Sequence, residues 1–276
     1  TLCLNSIRRL SAVPFPKAVS TMPAKLKKIL LSAAVLVFWI AVWSFASYMI
    51  GLELILPSPL KVLTALFERA ATADFLIAAG LSLLRIAVGF LLGTLVGVLL
   101  SVLMRVSKVA KALFSPILHV VKAAPVASFI ILALVWFKTD ILPVFISFLM
   151  VVPVVCANVS EGIAQTDRKL LEVARIYRFG KKRTFSEVWL PSVKPYAVSA
   201  CRTALGFAWK SGVAAEVICR PDHSIGDALY SSKMNLETAE VLAYTAVVII
   251  ISVLLERLML RLLKGEKRKD VRTEKH

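Results

Sequence analysis

Taken as a string of apolar and polar positions, the chain is a series of long apolar runs parted by short polar breaks. Six runs reach membrane-spanning length, at about 29–50, 76–104, 113–137, 141–159, 196–218 and 241–263. An α-helix needs about 20 apolar residues to cross the hydrocarbon core of a bilayer. The pattern therefore predicts an all-α, polytopic membrane protein with six transmembrane helices in one domain over residues 29–263. Residues 1–28 are polar and basic, with Pro14, Pro16 and Pro23 opposing any long helix, and are expected to be poorly ordered. The run at 29–50 has no small-x-small cleavage site, which argues for a retained span over a cleaved signal peptide. Residues 264–276 form a basic tail.

Small residues and prolines interrupt the runs in a pattern. Gly89, Gly93, Gly97 and Ser101 recur at spacing four in the second run. Such a stripe lets another helix approach closely where lipid removes any hydrophobic drive for association, so a packing role is expected. Pro116 and Pro125 fall in the third run and Pro143 and Pro153 in the fourth. Prolines free backbone carbonyls and kink helices, which suits a gated pathway and also occurs in static bundles. Between the first two runs, Leu56-Pro57-Ser58-Pro59 precedes a short amphipathic helix expected over 59–71 at the outer surface.

The polar break at about 161–195 is different in kind. It carries Arg168, Lys169, Arg175, Arg178, Lys181, Lys182, Arg183 and Lys194. Within it, Leu170, Val173, Ala174 and Tyr177 recur at i, i+3, i+4 and i+7, which predicts a short helix with one apolar stripe. Such a helix can lie on lipid or dock into a groove of another protein.

Composition sharpens this picture. The chain is 58% hydrophobic, with mean hydropathy +0.79, and only 18% charged. A soluble domain usually carries about a quarter charged residues. The net charge of +17 does not point to nucleic acid, because of where it falls. Lys61, Arg69, Lys138, Arg220 and Lys233 lie in the connections of one side, and Arg85, Lys122, Arg202 and Lys210 lie inside runs. All the remaining Lys and Arg fall on the other side, which places both termini and the basic segment in the cytoplasm. Cys3, Cys156, Cys201 and Cys219 show no metal-ligand or CxxC spacing, and His119, His223 and His276 are scattered, so no metal site is expected.

The basic segment carries a family resemblance. Permease subunits of ABC importers have a cytoplasmic loop of the form E-A-A-x3-G-x9-I-x-L-P. Here Glu172, Val173 and Ala174 are followed by Val188, Leu190 and Pro191 at matching distances, with Arg178 in the glycine position and Gly180 two residues later. Ser82-Leu83-Leu84-Arg85 through Gly89, and the stretch 208–218 (AWKSGVAAEVI), resemble the nitrate/sulfonate/taurine-type branch, the binding-protein-dependent transport inner membrane components.

The resemblance implies the type I importer permease fold, working as a homodimer of permease subunits in a bacterial inner membrane. It implies ABC ATPase subunits that carry ATP and Mg, and an extracytoplasmic binding protein that delivers the solute. Solutes of that branch include nitrate, sulfonates, taurine and vitamin-precursor heterocycles. By the same likeness, Glu172, Val173, Ala174 and Tyr177 lie on the helix that couples to the ATPase, and Gly180 helps turn the chain out of it.

The chain itself has no Walker A sequence, nucleophile elbow or metal motif, so it is not expected to be an enzyme or to bind a cofactor. Ionisable side chains inside spans face protein or water. Arg85 and Glu216 are expected to form a structural ion pair between the second and fifth spans. Lys210, beside Trp209, could neutralise a passing anion or pair with Glu216. Arg202 and Lys122 could snorkel to the interface. Two other classes stay open. An ion-gradient-driven secondary transporter would show internal repeats with paired broken helices, and no second copy of either half stands out. A non-transporting membrane scaffold would need no partner ATPase.

Overall fold

The computed structural model describes the backbone of residues 24–273 and the side chains of residues 30–261. The expectation for the N-terminal segment up to residue 23, and for the side chains of the tail, lies outside those residues. The chain divides into two compact units, Thr1–Pro59 and Leu60–His276. The first holds α1 (Ala24–Ile50), a helix apolar all round whose described side chains are almost all exposed. After α1 the chain turns at Gly51, with φ 65°, and Ser47 Oγ donates to the Leu56 carbonyl at 2.8 Å.

In the second unit, α2 (Pro59–Ala70) leads to α3 (Ala73–Val106), a helix of 34 residues. Thr72 caps the start of α3, its Oγ1 accepting from the Phe75 N–H at 3.3 Å. Ser107 closes it and also caps α4 (Lys108–Ala123), its Oγ accepting from the Ala110 N–H at 3.2 Å. The third apolar run is not one helix. α4 and α5 (Val126–Ala133) meet at 106°. Pro125 is the cause: it has no N–H to continue α4, and it drives Ala124 to φ −76°, ψ 142°.

α6 (Leu142–Ala164) and α9 (Leu190–Cys219) complete a three-helix centre with α3. The glycine stripe of α3 lies directly on α6. A Cβ at Gly93 would stand 2.7 Å from Val151 Cβ, one at Gly97 would stand 2.8 Å from Val155 Cβ, and one at Gly89 would meet the Val144 carbonyl. The stripe therefore joins two helices of the same chain. α9 answers with its own row of small residues: Ala200, Ala204, Ala208 and Ala215 are all fully buried. Ser147 Oγ of α6 donates to the Ala208 carbonyl at 3.1 Å. α10 (Ile225–Met234) packs across the end of α9, and α11 (Thr238–Thr273) runs beside it.

Among the described residues, four helices are long and apolar enough to cross a membrane: α1, α3, α6 and α11, with α4 and α5 a fifth if the bent pair is one span. The fifth run of the sequence, α9, has the length at 30 residues but holds Lys194, Arg202, Lys210 and Glu216. Those charges reflect two different surfaces of one helix.

Candidate functional site

The basic segment folds as α7 (Arg168–Ile176) and α8 (Lys181–Thr184), then a π turn over Phe185–Trp189 that runs straight into α9. Asp167 starts α7, its carboxylate accepting from the Lys169 N–H at 2.8 Å. The π turn has a cause in the sequence. Pro191 cannot donate to the carbonyl four residues back and its ring crowds that group, so the helix widens by one residue there. The Leu190 N–H reaches the Phe185 carbonyl instead.

The apolar stripe of α7 splits between two surroundings. Ala174 is 3% exposed and faces the molecule's own interior, beside a π turn that buries Val188. Leu170, Val173, Ile176 and Tyr177 are exposed, Tyr177 at 73%. Glu172 is exposed on the same short helix and makes no ion pair among the described residues. Ala174 is thus a packing residue of this chain, while the neighbouring apolar side chains are left uncovered.

The turn out of α7 corrects the expectation for Gly180. The Phe179 N–H donates to the Ala174 carbonyl at 2.8 Å and the Arg178 N–H to the Arg175 carbonyl at 3.0 Å, the paired bonds of a Schellman ending. The left-handed residue this ending requires is Arg178, at φ 52°. Gly180 follows at φ −65°, ψ 160°, a conformation open to any residue, and starts α8. The chain turns at the position where the resembling family's loop pattern carries glycine, with arginine in the glycine's place.

A buried polar cluster holds the far end of α9. Glu216 is fully buried. Its Oε2 accepts from Ser82 Oγ of α3 at 2.7 Å and from the Gly226 N–H of α10 at 3.4 Å. Ser82 Oγ in turn accepts from the Ile225 N–H at 3.0 Å. Gly226 is obligatory here, because a Cβ would collide with Glu216 Cβ. Arg85 lies beside the cluster, but the expected pair with Glu216 is only a 4.0 Å approach. Arg85 donates instead to Asp140 Oδ1 at 3.0 Å and to the Asp222 carbonyl at 3.1 Å. The carboxylate and the guanidinium thus each find closer partners, and together they tie α3, α9, α10 and the segment before α6.

Lys210 does not pair with Glu216. Six residues at 100° each place the two side chains about 120° apart around α9. Glu216 points to α3 and α10, whereas Lys210 lines an open cavity of about 430 Å³ between α9 and α11. Trp209 is 1% exposed and donates from Nε1 to the Val248 carbonyl of α11 at 3.0 Å, which makes it a strut beside that cavity. Arg202, also at the cavity, bonds Glu256 of α11 at 2.7 Å. Lys122 is exposed at the end of α4. Near the rim opposite the basic segment, Arg69 of α2 donates from Nε to Glu240 of α11 at 2.9 Å, and that carboxylate raises the guanidinium above its ordinary range.

Sequence reading missed Asp140, Gly226 and Glu256. Nothing local marks them, since each acts through a partner far along the chain. The polar face of α9 was detectable: Ser199, Arg202, Thr203, Gly206 and Lys210 follow helical spacing.

Long apolar helices packed along small-residue faces, with a short amphipathic helix left uncovered, define a helical membrane protein. The chain belongs to the binding-protein-dependent transport system inner membrane component family, whose model matches residues 89–267, and is a multi-pass inner-membrane protein. It is similar to the nitrate import permease protein NrtB of Synechococcus elongatus, 28% identical over 233 residues that cover 80% of each chain. The putative aliphatic sulfonates transport permease protein SsuC of Escherichia coli is 33% identical over 181 residues, 65% of this chain and 69% of that one. The taurine transport system permease protein TauC of Escherichia coli is 26% identical over 230 residues, 81% of this chain and 82% of that one. Among solved structures, one titled as an amino acid ABC transporter with histidines shares the fold. Its TM-score is 0.57 at 16% identity, and the match covers 71% of this chain and 94% of that chain.

Proposed function

We propose that this chain is the permease subunit of an ATP-driven ABC importer for a small anionic solute of the nitrate, sulfonate or taurine kind. Two copies form the translocation pathway, each with six spans and both termini in the cytoplasm. The fifth of these spans in chain order is α9, whose charges face protein or water. A binding protein outside delivers the solute, and ATP and Mg are bound by separate ATPase subunits. The observation that carries this reading beyond the family is α7. A helix with exposed Leu170, Val173 and Tyr177, set in a basic cytoplasmic segment, presents an apolar face that suits a groove on a partner. Closure of the ATPases would move α7, and the rigid π turn would pass that motion into α9.

The test is reconstitution. The chain is co-expressed with an ABC ATPase of its own organism, placed in proteoliposomes and supplied with a solute-binding protein from the same source. The expected outcome is uptake that requires internal ATP, external binding protein and one of nitrate, alkanesulfonate or taurine as solute. Uptake driven by an ion gradient without ATP would overturn the reading.

A further inference from the structure

We propose that Lys210 is the anion-binding group at the blind end of a polar furrow that runs along α9 toward the cytoplasm. The proposal rests on the importer reading above, including the cytoplasmic placement of the basic segment that precedes α9. The two faces of α9 carry it. The buried face here is Ala200, Ala204, Ala208 and Trp209, while the opposite face presents exposed Ser199, Arg202, Thr203 and Lys210, with half-buried Gly206 among them, at i, i+3, i+4, i+11 and i+7. At 1.5 Å per residue, that polar face is about 16 Å long. Further along the same face come Ala214 and Val217, so the polar surface stops at Lys210. Ser252 and Glu256 of α11 form the opposite wall of the cavity of about 430 Å³.

The charges in the furrow do not balance. Glu256 is bound to Arg202 through both Nε, at 3.2 Å, and Nη2, at 2.7 Å, so that pair is neutral. Lys210 has no hydrogen bond or ion pair among the described residues, and it stands deep along a helix that reads as a span. An ammonium at that depth requires water or a counter-charge. The hydroxyls of Thr203 on α9 and Ser252 on α11 line the same cavity, beside apolar Phe207 and Leu255, and can donate to an acceptor-rich ion. One free positive charge with hydroxyl donors suits a singly charged oxyanion. Because Arg202 is already neutralised, the ion meets one net charge and is held loosely enough to leave toward the cytoplasm.

The test uses a thiol reporter in the furrow. In a chain with its native cysteines replaced, Thr203→Cys is exposed in inside-out membrane vesicles to two impermeant thiosulfonate reagents, one carrying a sulfonate and one a quaternary ammonium. The sulfonate reagent is expected to react from the cytoplasmic side. Ethanesulfonate or nitrate in excess, with gluconate as the ionic-strength control, is expected to slow that reaction by about fivefold. Lys210→Gln should remove the competition while the cationic reagent still reacts, which shows that the furrow is intact, and Lys210→Arg should retain it. Failure of either reagent to reach position 203, absence of competition by both anions, or competition that survives Lys210→Gln would each overturn the proposal. A carboxylate from a second copy seated on Lys210 would give the second of these results. The assay uses no ATP and no uptake, so a chain that shows competition but imports nothing would refute the importer reading and keep the site.

Discussion

Glu216 and Glu172 are two carboxylates of the same chain with opposite surroundings. Glu216 is fully buried and is held by Ser82 and the Gly226 N–H, with Arg85 close by. Glu172 stands exposed on a helix whose apolar neighbours Val173 and Tyr177 are also exposed. The first end of the molecule is closed within one chain: α3, α9, α10 and the segment before α6 are joined there by hydrogen bonds, and Glu216 Oε1, which has none, stands 4.0 Å from the Arg85 guanidinium. The second is built but not covered. A buried polar group must be satisfied by its own fold, because leaving it unpaired costs more than the bond returns. An exposed amphipathic face carries no such requirement and can wait for a partner. The polar cluster therefore reads as architecture and α7 as contact surface.

The comparison breaks most sharply at Glu216. Glu216→Ala leaves Ser82 and the Gly226 N–H without their acceptor, removes the charge 4.0 Å from Arg85, and should cost about 3–5 kcal/mol. It should appear as a large drop in the thermal midpoint of the detergent-extracted protein. Glu216→Gln keeps an acceptor for Ser82 and should lose less than half as much. Equal losses in the two variants would mean that the carboxylate's charge, which the isosteric glutamine lacks, holds the cluster, and not its shape or a single acceptor oxygen.

Gly93 comes next. The Cβ of Gly93→Ala would stand 2.7 Å from Val151 Cβ, against a helix that cannot easily retreat because Ser147 ties it to α9. Overpacking of this kind costs about 1–3 kcal/mol, and Gly93→Leu should cost more. Size-exclusion profiles of the extracted variants give the measure. An unchanged profile for Gly93→Leu would place that face of α3 away from α6.

This stripe also shows what was legible in the sequence and why. Gly89, Gly93 and Gly97 announce themselves because helical spacing is local, so four-residue repeats can be read without a fold. The Ser82–Glu216 bond joins residues 134 apart, and no local pattern can announce it. Arg85 and Glu216 were expected to pair directly, but they stand 4.0 Å apart, because the Asp140 carboxylate and the Asp222 carbonyl lie closer to Arg85 and the Ser82 hydroxyl closer to Glu216. The bend at Pro125 lay in plain sight, yet proline is also tolerated inside helices, as Pro116 and Pro153 are here. The apolar stripe of α7 was legible in its period but not in its orientation. Periodicity marks one face and does not tell which members of that face turn to the chain's own interior.

At the uncovered end, Val173→Asp should leave the thermal midpoint nearly unchanged, because Val173 is 44% exposed. It should weaken recovery of the ATPase by about 30-fold, the scale of losing one well-packed contact of about 2 kcal/mol. Ala174→Asp is the contrasting variant. It forces a carboxylate into a 3%-exposed site and should destabilise the permease itself, with or without a partner. Full ATPase recovery and uptake with Val173→Asp would remove α7 as the docking surface.

The smallest effect tests the turn that sets the angle of α7. Arg178 holds φ 52° as the left-handed residue of the Schellman ending. A side chain in that conformation is strained by roughly 1–2 kcal/mol relative to glycine, while glycine adds freedom to the unfolded chain that returns part of the gain. Arg178→Gly should therefore raise the thermal midpoint by an amount equivalent to about 0.5–1 kcal/mol. Arg178 also stands among Arg175, Lys181, Lys182 and Arg183, so a gain could come from relieving charge repulsion instead. Arg178→Ala separates the two causes, because it removes the charge and keeps the Cβ. If backbone strain is the cause, alanine gives little or no gain. If repulsion is the cause, alanine matches glycine. Gly180→Ala completes the set: with φ −65° and nothing within 4 Å of an added Cβ, it should be neutral or slightly stabilising. A marked loss at Gly180 would return the turn to that residue and take it from Arg178.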